Sequence, residues 1–256
     1  MSDITAPSPV PEIRQITRAD VAASLAKGWR DFLAAPMFGA FFGGFYVICG
    51  LILAWITLGT GQVYWLAVAV FGFPILGPFT AVGLYEVSHR IENNDPLDWS
   101  EILGVIWRQK ERQLPWISAI IIVIFLFWSF IGHMIFALFL GLSTMTNVTT
   151  SYEIYQTTNG ILMLLVGTGV GAVLAGVTFA ITVTGLPLLL DREIDFVTAM
   201  IVSFQSVLRN FWVMTLWGLF VSVTVFAAMV PLFLGLLVVL PVLGHATWHL
   251  YHATLD

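Results

Sequence analysis

Between Phe211 and Gly244 the chain runs for 34 residues without one Asp, Glu, Lys or Arg. About 20 residues at 1.5 Å each suffice for a helix to cross the hydrocarbon of a bilayer. This run is therefore too long for one crossing and too apolar to be a loop in water. Divided near Pro231, it reads as two spans joined by a very short turn.

The same logic extends to the whole chain. Of 256 residues, 59% are hydrophobic and 10% are charged, against roughly 45–50% and about 25% in ordinary soluble domains. A soluble fold of this length cannot bury that much apolar surface. The expected fold class is therefore all-α, a polytopic membrane bundle of six transmembrane helices. The spans fall at about 37–58, 63–84, 116–140, 160–184, 211–230 and 231–251, all within one membrane domain, 17–256. Residues 1–16, with Pro7, Pro9 and Pro11, read as a disordered tail and lack the early apolar core of a secretory signal. Pro74 and Pro78 are expected to kink the second span or loosen its inner end.

Amphipathic stretches precede alternate spans. Thr17 to Asp20 reads as a helix cap, followed by Val21, Leu25, Trp29 and Phe32 at helical spacing. Asp98 opens a second stretch with Trp99, Ile102 and Ile106 on one side. Asp195 opens a third, with Met200, Phe204 and Leu208. All three are expected to lie as interfacial helices on one side of the membrane. Gly39 and Gly43 form a GxxxG pair for close helix approach, and Gly167, Gly169, Gly171 and Gly176 suggest another close-packing face.

Charge sets the orientation. All ten basic residues (Arg14, Arg18, Lys27, Arg30, Arg90, Arg108, Lys110, Arg112, Arg192 and Arg209) fall on the side of the N-terminus, and of the acids only Glu153 falls opposite. By the positive-inside rule both termini are expected in the cytoplasm, with the chain in a bacterial inner membrane. Pro74-Ile-Leu-Gly77 and Pro241-Val-Leu-Gly244, each followed by Leu-Tyr, suggest a threefold repeat of interfacial helix and hairpin.

Chemistry-bearing residues are few. The span centres hold no Asp, Glu, Lys or Arg, which speaks against ion or proton coupling. His133 alone sits well inside a span, where a neutral imidazole bonded to a neighbouring helix accounts for it. His245, His249 and His252 share one helical face at i, i+4, i+7. They are the weak candidates, with His133, for a haem or metal site. His133 and His245 lie ~15 Å apart in depth, which speaks against one haem between them. The other candidate is a cytoplasmic collar of Arg30, Asp31, Glu86, His89, Arg90, Asp191 and Arg192. It would recognise a headgroup or a partner, or serve as an ion-pair ring fixing helix ends. Cys49 is the only cysteine, so there is no internal disulfide or CxxC motif. No catalytic motif is present, and neither a cofactor nor a metal is expected.

Four pieces carry a family resemblance: Gly28-Trp-Arg-Asp-Phe32 with Pro36; Gly83-Leu-Tyr-Glu86 with Ser88 and Arg90; Leu188-Leu-Leu-Asp-Arg192; and Leu243-Gly-His-Ala-Thr-Trp-His-Leu-Tyr251. Over about residues 15–252 the chain resembles a family of bacterial, largely alphaproteobacterial, six-span integral membrane proteins known as a domain of unknown function. The resemblance implies a membrane location and no activity. The functional expectation is a non-enzymatic inner-membrane scaffold or accessory protein. Its partners would be the lipid bilayer and another membrane protein or a second copy, not nucleic acid. A transporter or channel for an apolar or lipid-like substrate is the alternative. A haem or metal protein, or a respiratory-complex accessory, stands behind both.

Overall fold

The computed structural model describes residues 8–60, 66–109, 113–141 and 152–256, and these are helical almost throughout. In chain order the helices are α1 (Arg18–Ala34), α2 (Pro36–Thr60), α3 (Leu66–Asn93), α4 (Trp99–Gln109), α5 (Leu114–Leu140), α6 (Thr158–Thr182), α7 (Gly185–Asp191), α8 (Phe196–Arg209), α9 (Phe211–Met229) and α10 (Leu236–Thr254). Most of the Ser143–Asn159 loop, Gly61 and Gln62 of the first outer turn, and Lys110 and Arg112 lie outside the described residues.

Among the described residues, four helices are long and apolar enough to cross a membrane: α2, α5, α6 continuing through α7, and α9. The remaining two expected spans correspond to α3 and α10, and both run past their apolar part into polar turns. α3 stays helical beyond Pro74 and Pro78 to Asn93, carrying Glu86, Ser88, His89, Arg90 and Glu92 on continuous helix. α10 carries His245, His249 and His252 in its second half.

Local signals set the helix starts. Thr17 and Asp20 form a capping box, with the Thr17 amide donating to Asp20 Oδ2 at 2.7 Å and the Asp20 amide to Thr17 Oγ1 at 3.4 Å. Asp98 Oδ1 accepts from the Ser100 and Glu101 amides, and Asp195 Oδ1 accepts from the Thr198 amide at 2.9 Å.

α1 packs through a face of small residues. Its buried positions are Ser24, Gly28 and Asp31, not the Val21–Leu25–Trp29–Phe32 stripe, and Trp29 is exposed. That small face lets α1 lie against the second half of α10. A Cβ on Gly28 would stand 2.5 Å from the Ala246 amide nitrogen, so only glycine permits this backbone approach. One break later, at Ala35, α2 continues along the first half of α10. There Gly43 meets the Leu236 carbonyl and Gly39 lies beside Pro241, the close approach the GxxxG pair anticipates. α10 is thus packed against α1, α2, α3 and α9 together.

Three further features follow from packing. Among the described residues, Gly167, Gly169 and Gly176 meet no neighbour and Gly171 meets only the Trp128 ring, so no helix backbone closes on the expected face of α6. α8 turns Ala199, Val202, Ser203, Ser206 and Val207 inward and leaves Val197, Ile201, Phe204 and Leu208 exposed. Small residues seat it on its neighbours, and the apolar stripe faces out. Residues 8–16 are not a free tail. The Ser8 amide bonds the Glu193 carbonyl, the Arg14 amide bonds the Thr254 carbonyl, Ile13 pairs with Leu255, and Ile16 is buried. Pro9 and Pro11 favour the extended backbone that this pairing needs.

Candidate functional site: a buried polar junction

Where α1, α3 and α10 meet, the fold buries polar side chains that lie far apart in sequence. Asp31 of α1 is buried and accepts two hydrogen bonds at Oδ2: from Ser88 Oγ at 2.7 Å and from His249 Nε2 at 2.7 Å. Ser88 has one proton, and the carboxylate takes it. The 2.8 Å contact between Ser88 Oγ and His245 Nδ1 therefore has the imidazole as donor, which leaves Nε2 as the unprotonated nitrogen of a neutral ring. His245 Nε2 is buried without a hydrogen-bond partner among the described residues.

The chain of contacts continues toward the surface. His249 Nδ1 lies 3.1 Å from Glu92 Oε1, within ion-pair reach but without hydrogen-bond geometry. Trp248, fully buried, donates its indole N–H to Glu92 Oε2 at 2.8 Å. The His249 ring, then the Trp248 indole, hold the Glu92 carboxyl down at about 2 against the opposing effect of burial. Tyr85 stacks on the same indole.

The expected collar resolves into separate units. Arg90 joins Glu86 at 2.7 Å, Glu101 of α4 at 2.6 Å and the Pro96 carbonyl at 3.0 Å, clamping the α3–α4 turn. Asp191 at the end of α7 accepts from the Tyr251 hydroxyl at 2.6 Å, and Arg192 Nε stands 3.8 Å from it. Asp31 belongs to the junction. Arg30 points into solvent, and His89 contacts Asn93 and the edge of the Trp248 ring.

The histidine candidates also divide. His245 and His249 are in the junction, and His252 packs on Trp248 with Nε2 3.9 Å from Glu92. His133 is remote and exposed on α5. Its Nδ1 lies 2.7 Å from the Ser129 carbonyl of its own helix, not from a neighbouring one. Among the described residues no group of three His, Cys, Asp or Glu is arranged to hold a metal ion.

Sequence reasoning did not assign Glu92 or Asn210 a role, nor Ser88 one beyond the resemblance, and it read Trp248 only as part of an interfacial belt with Tyr251 and the histidines. Asn210, buried between α8 and α9, accepts the Ile16 amide at 2.8 Å and donates to the Arg14 carbonyl at 2.9 Å, fastening the N-terminal segment. The available signal lay in the resembling pieces themselves. Asp31, Ser88, His245, Trp248 and His249 all fall within them, and the fold brings them to one place.

Residues 66–191 match the family described as "Predicted integral membrane protein (DUF2189)". Over that segment, just under half of its length, the chain is similar to this family. The DUF2189 segment supplies Ser88, Glu92, Arg90 and Asp191, while Asp31, His245 and His249 come from the helices that flank it. The junction therefore ties the DUF2189 segment to both flanks. No curated protein and no solved structure matches the chain.

Proposed function

We propose that this chain is a non-enzymatic scaffold or accessory protein of a bacterial inner membrane, with both termini in the cytoplasm. Its six apolar segments enter the membrane as three hairpins: α2 with α3, α5 with α6, and α9 with α10. The distribution of Lys and Arg supports the orientation.

The observation that carries the scaffold reading is how the junction uses its polar groups. Ser88 is fully buried, its proton is committed to Asp31, and His245 donates to Ser88 instead of drawing a proton from it. A nucleophilic serine needs the opposite arrangement, with an imidazole accepting its proton. Asp31, Ser88, His245 and His249 bond to one another across three helices, as an interhelical lock does. Broad exposed apolar faces on α5 and α6 supply surface for lipid and for a membrane partner.

Cross-linking in cells at native expression, followed by native-gel analysis in mild detergent, tests the reading. A defined assembly larger than one chain is expected. A chain that runs as a monomer with and without cross-linker overturns it.

A further inference from the structure

The third hairpin ends differently from a hairpin that emerges into water. From Val225 to Leu240 there is no polar side chain, and the turn itself reads Val230-Pro-Leu-Phe-Leu-Gly235. Val230 is 83% exposed, Leu232 67% and Leu234 53%. Turns that face water carry polar residues that hydrate an open backbone. The described start of α6 is of that kind, with Thr157, Thr158 and Asn159, and α2 ends on Thr60.

The backbone of this turn needs little water. The Val230 amide donates to the Ala227 carbonyl at 3.2 Å, Leu232 to Val230 at 2.9 Å, Phe233 to Met229 at 3.0 Å, Leu234 to Pro231 at 3.0 Å and Leu236 to Phe233 at 2.9 Å. Closing these bonds takes two left-handed residues that are not glycine, Leu232 (φ 53°) and Phe233 (φ 64°). Internal closure of this kind is what a non-aqueous surrounding demands, since hydrocarbon offers no partner for a free N–H.

Depth agrees. The Phe233 ring rests where a Cβ on Gly50 would sit, at 2.9 Å, and α2 continues another ten residues to Thr60. At 1.5 Å per residue that is ~15 Å of helix beyond the tip. On that extension Trp55 and Leu58 are exposed, at 76% and 84%.

We propose that the tip Val230–Gly235 ends inside the hydrocarbon of the outer leaflet, in contact with lipid acyl chains, and never reaches the outer aqueous phase. The third hairpin is then an apolar wedge entering from the cytoplasmic side. The inference rests on the membrane orientation proposed above.

Cysteine accessibility tests it in a Cys49→Ala background. In spheroplasts a membrane-impermeant maleimide is expected to label Thr60→Cys and Thr158→Cys and to leave Leu232→Cys and Leu234→Cys unlabelled. A nitroxide on Leu232→Cys in liposomes of the purified protein is expected to collide with oxygen and to be shielded from a water-soluble nickel chelate. Labelling of Leu232→Cys as fast as Thr60→Cys, or free collision with nickel, overturns the proposal. So does shielding from both reagents, because a protein would then cover the tip. If Thr60→Cys reacts only in inverted vesicles, the orientation fails, and the nitroxide measurement still decides the tip.

Discussion

His249 Nε2 and Asp31 Oδ2 stand 2.7 Å apart although 218 positions separate them in the chain, and Ser88 donates to the same carboxylate oxygen. This contact joins the first helix to the last. Truncating Asp31 to Ala would strand a serine hydroxyl and an imidazole in a buried site. Removing one partner from such a site costs on the order of 3 kcal/mol. Asp31→Ala is expected to lower the thermal unfolding midpoint in detergent markedly, while Arg30→Ala, one residue away and exposed, leaves it unchanged. Equal midpoints for the two variants would remove the junction's structural role.

Glycines that look alike in sequence should respond differently. Gly28 has the backbone of α10 against it, whereas Gly176 has nothing within 4 Å. Gly28→Val is expected to destabilise by about 2 kcal/mol through overpacking and to expose α1 to limited proteolysis. Gly176→Val should be neutral in both respects. A reversal of that order, read by protease resistance in membranes, would show that α6 and not α1 makes the close approach.

The contrast between these two glycines shows how far the sequence is legible. Helix starts at Thr17, Asp98 and Asp195 depend on residues two or three positions away, and they form where read. The Gly39–Gly43 pair marks a close approach, but nothing local names α10 as the helix that comes near. The α6 glycines are as closely spaced, yet among the described residues no backbone approaches them, because a small residue permits contact and does not create it. The junction was least legible. Its bonds link residues 57, 157 and 218 positions apart, so Asp31 and the histidines read separately as a collar and a metal candidate.

Glu92 gives the junction an acid limit. Its folded value of about 2 lies below the ordinary 4.5. A depressed carboxylate contributes stability that is present above the ordinary value and is lost as pH falls through the folded one. Stability should therefore decline between about pH 4.5 and 2, and Glu92→Gln should flatten that part of the profile. Unfolding midpoints of both proteins across pH 2–7 in one detergent provide the check, and parallel profiles would mean that Glu92 is not the group responsible.

Asn210 makes the last prediction specific to the N-terminal segment. Its side chain takes the Ile16 amide and reaches back to the Arg14 carbonyl, while Ile16 itself is buried beside Leu250 and Met214. Aspartate at this position could still accept the Ile16 amide but could not donate to a carbonyl. Asn210→Asp should thus loosen residues 8–16 and spare the α1–α10 contact, which has its own glycine and its own Asp31–His249 bond. Hydrogen exchange can separate the two. Faster exchange of the Arg14 and Ile16 amides, with unchanged protection at Ala246–Leu250, is the expected pattern. Unchanged exchange at Ile16 would show that pairing of the segment with the end of α10 holds it without Asn210.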